Sequence, residues 1–206
     1  MRKLTVSEFV SLDGVMQAPG GADEDTEGGF RHGGWQMGYF DDVAGERIGA
    51  SMAQTGAFLL GRRTYEIFAA FWPSAPDDDP FAATMNGLPK YVASTTLEEP
   101  LEWNNSRLIK GDIAEQIAKL KAQPGKDLQV IGSSDLVQTL MEHDLVDEYR
   151  LMINPIVLGS GRRLFKDGSA KTALRLVDSK TTSTGVVILT YQAAGKVVEA
   201  SATNEQ

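Results

Sequence analysis

Short apolar runs alternate with stretches of helical periodicity along most of this chain. The runs have the length and composition of buried strands, and glycine, proline or small polar residues bound several of them. They predict strands at residues 4–10, 57–60, 90–96, 107–110, 128–131 and 148–153. Strands that alternate with helices in this way are typical of a parallel sheet with helices on both faces.

Helical segments separate several of these strands, and two of them have clear start signals. Asp41 or Asp42 can cap a helix that runs to about residue 54, because apolar residues recur there at every fourth position. Asp112 and Glu115 form a capping box before a second helix, which should end at the proline and glycine of 124–125.

The end of the chain has a different pattern. Residues 174–177 and 185–191 read as two strands with no helix between them, which predicts an antiparallel pair. Residues from 194 to 206 look like a solvated tail, and no linker divides the rest. We therefore predict one domain over residues 1–193 and a tail over 194–206.

The segment 57–72 combines a buried strand, a tight turn and a helix start. Gly61 lets a ligand approach the backbone, the helix N-terminus offers unpaired N–H groups, and Arg62 and Arg63 add donors that suit phosphate oxygens. The alternative is that both arginines are solvated surface residues. A second strand enters a helix at 128–141 through glycine and serines, and two such termini in one sheet can bind two phosphates of one ligand.

Composition narrows the possible partners. The chain of 206 residues has a formal charge of −8, so its overall field repels nucleic acid and anionic membranes. It has no cysteine, which excludes disulfides and thiolate chemistry. Its two histidines lie far apart in the sequence, which argues against a histidine-based triad or metal site. Glu8 interrupts the first apolar run too early for a secretory signal, so we expect a cytoplasmic protein.

A glycine-rich acidic stretch at 17–38 carries Trp35 and other aromatic residues. A loop of this length is usually functional or disordered, and both alternatives stay open: a lid that packs over a ligand, or a mobile acidic surface loop. As part of a lid, Trp35 would cover the substrate, and we expect Tyr39, Tyr65, Phe68 and Trp72 to wall its pocket.

The ordered set of segments resembles the dihydrofolate reductase fold, and more closely the C-terminal reductase domain of the riboflavin-biosynthesis protein RibD. The segments that carry the resemblance are 11–14, 60–66, 93–96, 130–134 and 154–165. The resemblance covers about residues 2–192. It implies an α/β three-layer fold with a mostly parallel central sheet, antiparallel C-terminal strands and flanking helices.

The resemblance also implies an NADPH-dependent reductase and assigns residues to the cofactor. Gly61, Arg62, Arg63 and Thr64 would hold its phosphates, and Ser94 and Thr95 would lie near the adenosine 2′-phosphate. Gly132, Ser133 and Ser134 would receive the pyrophosphate, with Ile131 and Leu136 beside them. Asn154 joins the expected substrate-binding residues.

The chain departs from the folate enzymes in ways that argue against dihydrofolate as substrate. Gly132-Ser133 replaces a glycine pair, and we find no arginine for a glutamate tail. We expect hydride transfer to a small heterocyclic or carbonyl substrate. The candidate proton donors are Asp13, Asp41 and Asp42, or a water, although each carboxylate can instead serve a turn or helix cap.

Two further expectations complete the sequence-based picture. A nucleotide-binding module without turnover is the alternative to an enzyme, because a fold does not determine a function. The resemblance also implies that the late strands and residues 155–165 can form the edge of a homodimer.

Overall fold

The computed structural model describes residues 1–76 and 78–195, which are organised around an eight-stranded sheet. Its strands are β1 (Leu4–Ser11), β2 (Thr55–Gly61), β3 (Lys90–Ala93), β4 (Ser106–Ile109), β5 (Asp127–Ile131), β6 (Glu148–Asn154), β7 (Leu174–Thr181) and β8 (Val187–Ala193). Their order is β4-β3-β2-β5-β1-β6-β8-β7. The six strands from β4 to β6 in that order are parallel to one another. Strand β8 is antiparallel to both of its neighbours, β6 and β7. The predicted fold class is confirmed.

Helices cover both faces of this sheet. They are α1 (Asp42–Gln54), α2 (Arg62–Phe71), α3 (Ala82–Gly87), α4 (Ile113–Ala122) and α5 (Ser134–Glu142). Both predicted caps are confirmed, since Asp41 accepts a hydrogen bond from the N–H of Ala44 at 3.0 Å and Asp112 from that of Glu115 at 2.9 Å. The sequence analysis did not predict α3.

Strand β2 shows how the sheet separates two apolar layers. Leu59 belongs to a cluster that includes residues of α4 and α5, while Phe58 and Leu60 belong to a cluster with residues of α1, α2 and α3. Successive side chains of a strand point to opposite faces, so β2 contributes to both layers. This arrangement explains why the central strands read as continuous apolar runs.

The predicted tail lies almost entirely beyond the described residues. Ala194 still donates a hydrogen bond to the carbonyl of Ala173 at 2.8 Å, next to the β7–β8 pair, while residues 196–206 lie outside the described part of the chain. Within 1–76 and 78–195, no helix has both the length and the hydropathy to cross a bilayer.

Lys90 is fully buried at the start of β3, and its side chain connects α3 to the sheet through hydrogen bonds. Its ammonium group donates hydrogen bonds to the carbonyls of Met85 at 2.8 Å, Asn86 at 3.2 Å and Leu88 at 2.9 Å, and it lies 4.2 Å from the ring centre of Trp103. The last carbonyls of a helix lack helical partners, and this side chain supplies a donor for them.

Lys90→Met should therefore lower the free energy of unfolding by about 1–3 kcal/mol, because it leaves buried carbonyls without a donor. Urea unfolding followed by circular dichroism measures the change. The control is Lys119→Met, since Lys119 is exposed and pairs with Glu115 one helical turn away, and its effect should stay within about 0.5 kcal/mol. Equal effects of the two substitutions would contradict this account of Lys90.

Candidate functional site

Two helices begin side by side at the carboxyl edge of the sheet. Strands β2 and β5 are parallel neighbours, with Leu59 paired to Val130. Gly61 ends β2 and is the N-cap of α2, and Ser133 follows β5 and is the N-cap of α5. Because parallel neighbours end at the same edge, the N-termini of α2 and α5 face the same region of solvent.

Ser133 joins the two helix starts directly. Its hydroxyl accepts a hydrogen bond from the N–H of Gly61 at 2.8 Å and donates one to the hydroxyl of Thr64 at 3.0 Å. Gly132 has a φ of +65°, and a Cβ there would lie 2.9 Å from Oγ1 of Thr64, so both its backbone conformation and its neighbour require glycine. The structure thus brings together four of the residues predicted to bind phosphate.

In the described part of the chain, neither of these two helix starts is capped by the side chain of its N-cap residue. Neither Gly61 nor Ser133 makes a side-chain cap hydrogen bond, in contrast to Asp41 of α1 and Asp112 of α4. The first N–H groups of a helix need an acceptor from elsewhere, and the positive end of the helix dipole favours an anion there. Two adjacent uncapped starts form a region suited to a ligand with more than one negative charge.

Both predicted phosphate-binding arginines lie at the start of α2, and both have carboxylate partners. Arg62 pairs with Glu66 at 2.9 Å on the same helix. Arg63 pairs with Asp25 at 2.5 Å and with Glu27 at 3.1 Å, and its hydrogen bond with Asp25 raises the pKa of its guanidinium. Two carboxylates of the glycine-rich loop therefore pair with Arg63, which we predicted to bind a phosphate of the ligand.

That loop, residues 17–38, is packed by its own aromatic residues. Phe30 and Trp35 are buried in a cluster with Val15, and the indole N–H of Trp35 donates to the carbonyl of Gln17 at 2.8 Å. Trp35, predicted to cover the substrate as part of a lid, thus lies in the core of the loop.

A second basic segment completes the charged surface. Glu27 also pairs with Arg162, and Lys166 pairs with Asp135 of α5 at 2.9 Å. One carboxylate, that of Glu27, therefore connects Arg63 of α2 with Arg162 of the segment 159–163. Gly161 packs closely against the loop, because a Cβ there would lie 2.7 Å from atoms of both Phe30 and Val15.

The other predicted cofactor residues border the same edge. Ala93 of β3 pairs with Gly61, so Ser94 follows beside α2, where its hydroxyl accepts hydrogen bonds from the N–H groups of Thr96 and Leu97. Thr95 is exposed. Ile131 ends β5, Ser134 begins α5, and Leu136 is buried in the apolar cluster beneath α5.

The residues predicted to bind the substrate lie in separate parts of the structure. Tyr65 is buried, with Phe68 and Trp72 packed against the same cluster, and its hydroxyl accepts the N–H of Trp103 at 3.0 Å. Tyr39 is half-buried, and its carbonyl accepts the hydroxyl of Thr184. Asn154 is fully buried at the end of β6 and donates to the carbonyl of Met152 at 2.9 Å.

The three predicted acids all have structural tasks or exposed positions. Asp13 accepts hydrogen bonds from Ser11, Leu158 and Gly159, and these bonds, that of Ser11 foremost, lower the pKa of its carboxyl to about 2. It is therefore ionised at neutral pH and has no proton to donate. Asp41 caps α1 and also binds Ser183.

Asp42 is exposed in the first turn of α1. In the described part of the chain, no group of three or more His, Cys, Asp or Glu side chains is arranged to hold a metal ion.

Glu8 is a buried acid that the sequence analysis did not assign to the site. Its carboxyl accepts the N–H of Gly132 at 3.1 Å, and burial raises its pKa well above the ordinary value. The available signal was its spacing, because Glu8 falls in the alternating register of the apolar residues Leu4, Val6 and Val10. Asp25 and Glu27 were also missed, because their partners lie far away in the sequence.

Comparison with known proteins agrees with this fold. The Bacillus subtilis protein YyaP is 36% identical over 141 residues, which cover 67% of this chain and 74% of YyaP. YwjB of the same organism is 27% identical over 182 residues, covering 87% of this chain and 91% of YwjB.

Two crystal structures share the architecture. A protein of Shewanella sp. PV-4 named for riboflavin biosynthesis has a TM-score of 0.67 at 23% identity, covering 93% of this chain and 98% of its own. A pyrimidine reductase-like protein of Corynebacterium diphtheriae has a TM-score of 0.63 at 12% identity, covering 95% and 93%.

At these identities the two structures show the fold alone. The family model of the RibD C-terminal domain matches residues 2–188, nearly the whole described chain, and this chain belongs to that reductase family.

Proposed function

We propose that this protein is an NADPH-dependent reductase that transfers a hydride to a small heterocyclic or carbonyl substrate other than dihydrofolate. The observation that carries the proposal is the pair of uncapped helix starts that Ser133 joins through Gly61 and Thr64. The family supports a reductase-type role, and the site's own geometry supports a dinucleotide as its cofactor.

The residues present fit the anionic groups of NADPH. Its pyrophosphate suits the two adjacent helix N-termini, whose close backbone approach depends on Gly132. Its additional phosphate suits Arg62 and Arg63, whose planar guanidinium groups present paired donors. Ser94 and Thr95 border the same position, after the strand next to Gly61.

The edge of the sheet also offers a place for the reacting groups. Strand β1 pairs with β5 only as far as Ser7, but it pairs with β6 as far as Ser11. β1 therefore continues past the end of β5, and ligands of open parallel sheets bind in the crevice at such a position. We place the substrate in this crevice, beside Phe9–Ser11.

When bound, NADPH supplies the hydride. The chain's contribution is to bind the phosphates, orient the ring and exclude water. Asp13 does not donate the accompanying proton, because its carboxyl is ionised at neutral pH. Asp13 instead holds the turn after β1 against the backbone N–H groups of Leu158 and Gly159.

The alternative is a module that binds the nucleotide without turnover. The structural tasks of Asp13 and Asp41 favour it, since they leave two of the expected acids without a catalytic role. Oxidation of NADPH in the presence of heterocyclic and carbonyl compounds separates the two. Tight binding without any substrate-dependent oxidation would favour the module.

The wild-type protein should bind NADPH more tightly than NADH, as measured by quenching of fluorescence from its three tryptophans. Substitution of both Arg62 and Arg63 by alanine should weaken NADPH binding about tenfold or more and NADH binding less, because charge-assisted hydrogen bonds to the extra phosphate are lost. Arg175→Ala, on the distant strand β7, is the control. If the wild-type protein binds neither NADPH nor NADH, the proposed cofactor is refuted.

Ser133→Ala should weaken NADPH binding by about threefold to tenfold, because it removes the hydrogen bonds that join the starts of α2 and α5. The same fluorescence titration measures this. Ser179→Ala on the exposed strand β7 should leave the affinity unchanged. An unchanged affinity in Ser133→Ala would show that the junction does not contribute to binding.

We also propose that the protein is a homodimer of the cytoplasm, as the sequence predicted. Support for the dimer comes from β7, the terminal strand of the sheet, which is exposed along most of its length. Leu176 and Val177 on it are 49% and 45% exposed. Apolar side chains on an unprotected edge strand are typical of a surface that pairs with another chain.

Leu176→Glu should accordingly shift the protein from dimer to monomer, because it introduces a charge into an apolar contact. Light scattering coupled to size-exclusion chromatography measures the mass. Met37→Glu is the control, since Met37 is 61% exposed but lies in the 17–38 loop. A monomeric wild type, or a dimer that persists in Leu176→Glu, would contradict the proposed interface.

A further inference from the structure

Glu8 is a buried carboxyl group with only part of its hydrogen-bonding capacity used. It is 7% exposed on β1, and its Oε2 accepts the N–H of Gly132 at 3.1 Å. Its Oε1 is buried and has no partner within the described residues. Val6 and Val10, which share its face of β1, belong to the apolar cluster beneath α4 and α5.

The residue that Glu8 contacts begins the turn that joins the two helix starts. Gly132 and Ser133 have φ values of +65° and +67°, so both lie in the left-handed region. Such a conformation is disfavoured for serine and persists only where surrounding contacts hold it. The N–H of Gly132 is held by Glu8, and the hydroxyl of Ser133 is held by Gly61 and Thr64.

We propose that Glu8 is a positioning residue of the nucleotide site, which acts through the N–H of Gly132 to keep the Gly132–Ser133 turn in the conformation that joins α2 to α5. The inference rests on the proposed binding of NADPH. Glu8 touches neither cofactor nor substrate in this account. It acts on the backbone that receives the pyrophosphate.

The surroundings of Glu8 favour the neutral form of its carboxyl group. Burial, the larger cause, raises the pKa of its carboxyl, while the N–H of Gly132 opposes this less strongly. Tyr149 of β6 lies in the same apolar layer and is neutral, because burial raises its pKa to about 12.

Several charged side chains of the neighbouring segments pair with one another. These pairs are Lys119 with Glu115, Lys121 with Asp147, Lys166 with Asp135, and Arg162 with Glu27.

A neutral carboxyl suits a position beside a phosphate site. Its carbonyl oxygen still accepts the N–H of Gly132, but it places no negative charge beneath an anionic ligand. A carboxylate there would repel the pyrophosphate across a region of low dielectric. Glutamine reproduces the neutral acceptor, whereas leucine removes it.

The experiment compares Glu8→Gln and Glu8→Leu in the chain of 206 residues. The affinity for NADPH at neutral pH should stay within about twofold of the wild type in Glu8→Gln and fall about tenfold in Glu8→Leu, the range that one hydrogen bond represents.

Glu148→Leu is the matched control. Glu148 is a buried glutamate of β6 that pairs with Lys3 and Arg150, and its loss should lower thermal stability without changing the affinity for NADPH.

A second readout needs no nucleotide. In ¹⁵N-labelled protein, the amide signal of Gly132 should shift with pH in the wild type, with a midpoint above the ordinary range of glutamate, and should not titrate in Glu8→Gln. If the wild type binds no NADPH, the proposed function fails, and the Gly132 signal alone decides whether Glu8 controls the turn.

Two results would overturn the inference. One is wild-type affinity for NADPH in Glu8→Leu, even if that variant is less stable. The other is an equal loss of affinity in Glu8→Gln and Glu8→Leu, which would mean that the negative charge is needed and not the acceptor.

Discussion

The hydrogen bond from the N–H of Gly61 to the hydroxyl of Ser133 is the contact on which the site depends. It fixes the end of β2 against the end of β5, and therefore the start of α2 against the start of α5. The bond needs Ser133 in a left-handed conformation, which in turn needs a residue without a side chain at Gly132, since Thr64 occupies the adjacent space. Removing any one of these residues would change the relative placement of two helix dipoles.

The chain balances this basic and dipolar region with acids from one loop. Gln17 holds that loop in place, because its amide donates to the carbonyls of Asp25 and Glu27 and accepts the N–H of Arg162. The buried rings of Phe30 and Trp35 anchor it from below. An acidic protein can thus keep cations beside the two helix starts, since contacts with the loop hold these cations in place.

Much of the fold was predictable because its signals are local. The box at Asp112 and Glu115, the strand–turn–helix at Gly61 and the late antiparallel pair each depend on neighbouring residues. The six-residue α3 was not predictable in this way. Helices so short are stabilised by tertiary contacts, here by Lys90 from the next strand.

The site was predictable in part for the same reason. The residues predicted to bind phosphate lie at strand ends, where chain order gives their position. The aromatic residues were less informative, because a sequence does not tell which apolar cluster a ring will join: Tyr65 faces Trp103, whereas Trp35 packs within the loop. Glu8 was missed because its partner, Gly132, is distant in sequence and contributes only a backbone N–H.

The pairing of Arg63 and Arg162 with Glu27 has a consequence for ionic strength. In the absence of ligand, the loop acts as an internal counter-ion for these two arginines. An anionic ligand that took its place would exchange one carboxylate for one phosphate and release few ions from solvent. Its affinity would then vary with salt less steeply than the number of arginines implies, and the loop would be the part of the molecule that carries the difference.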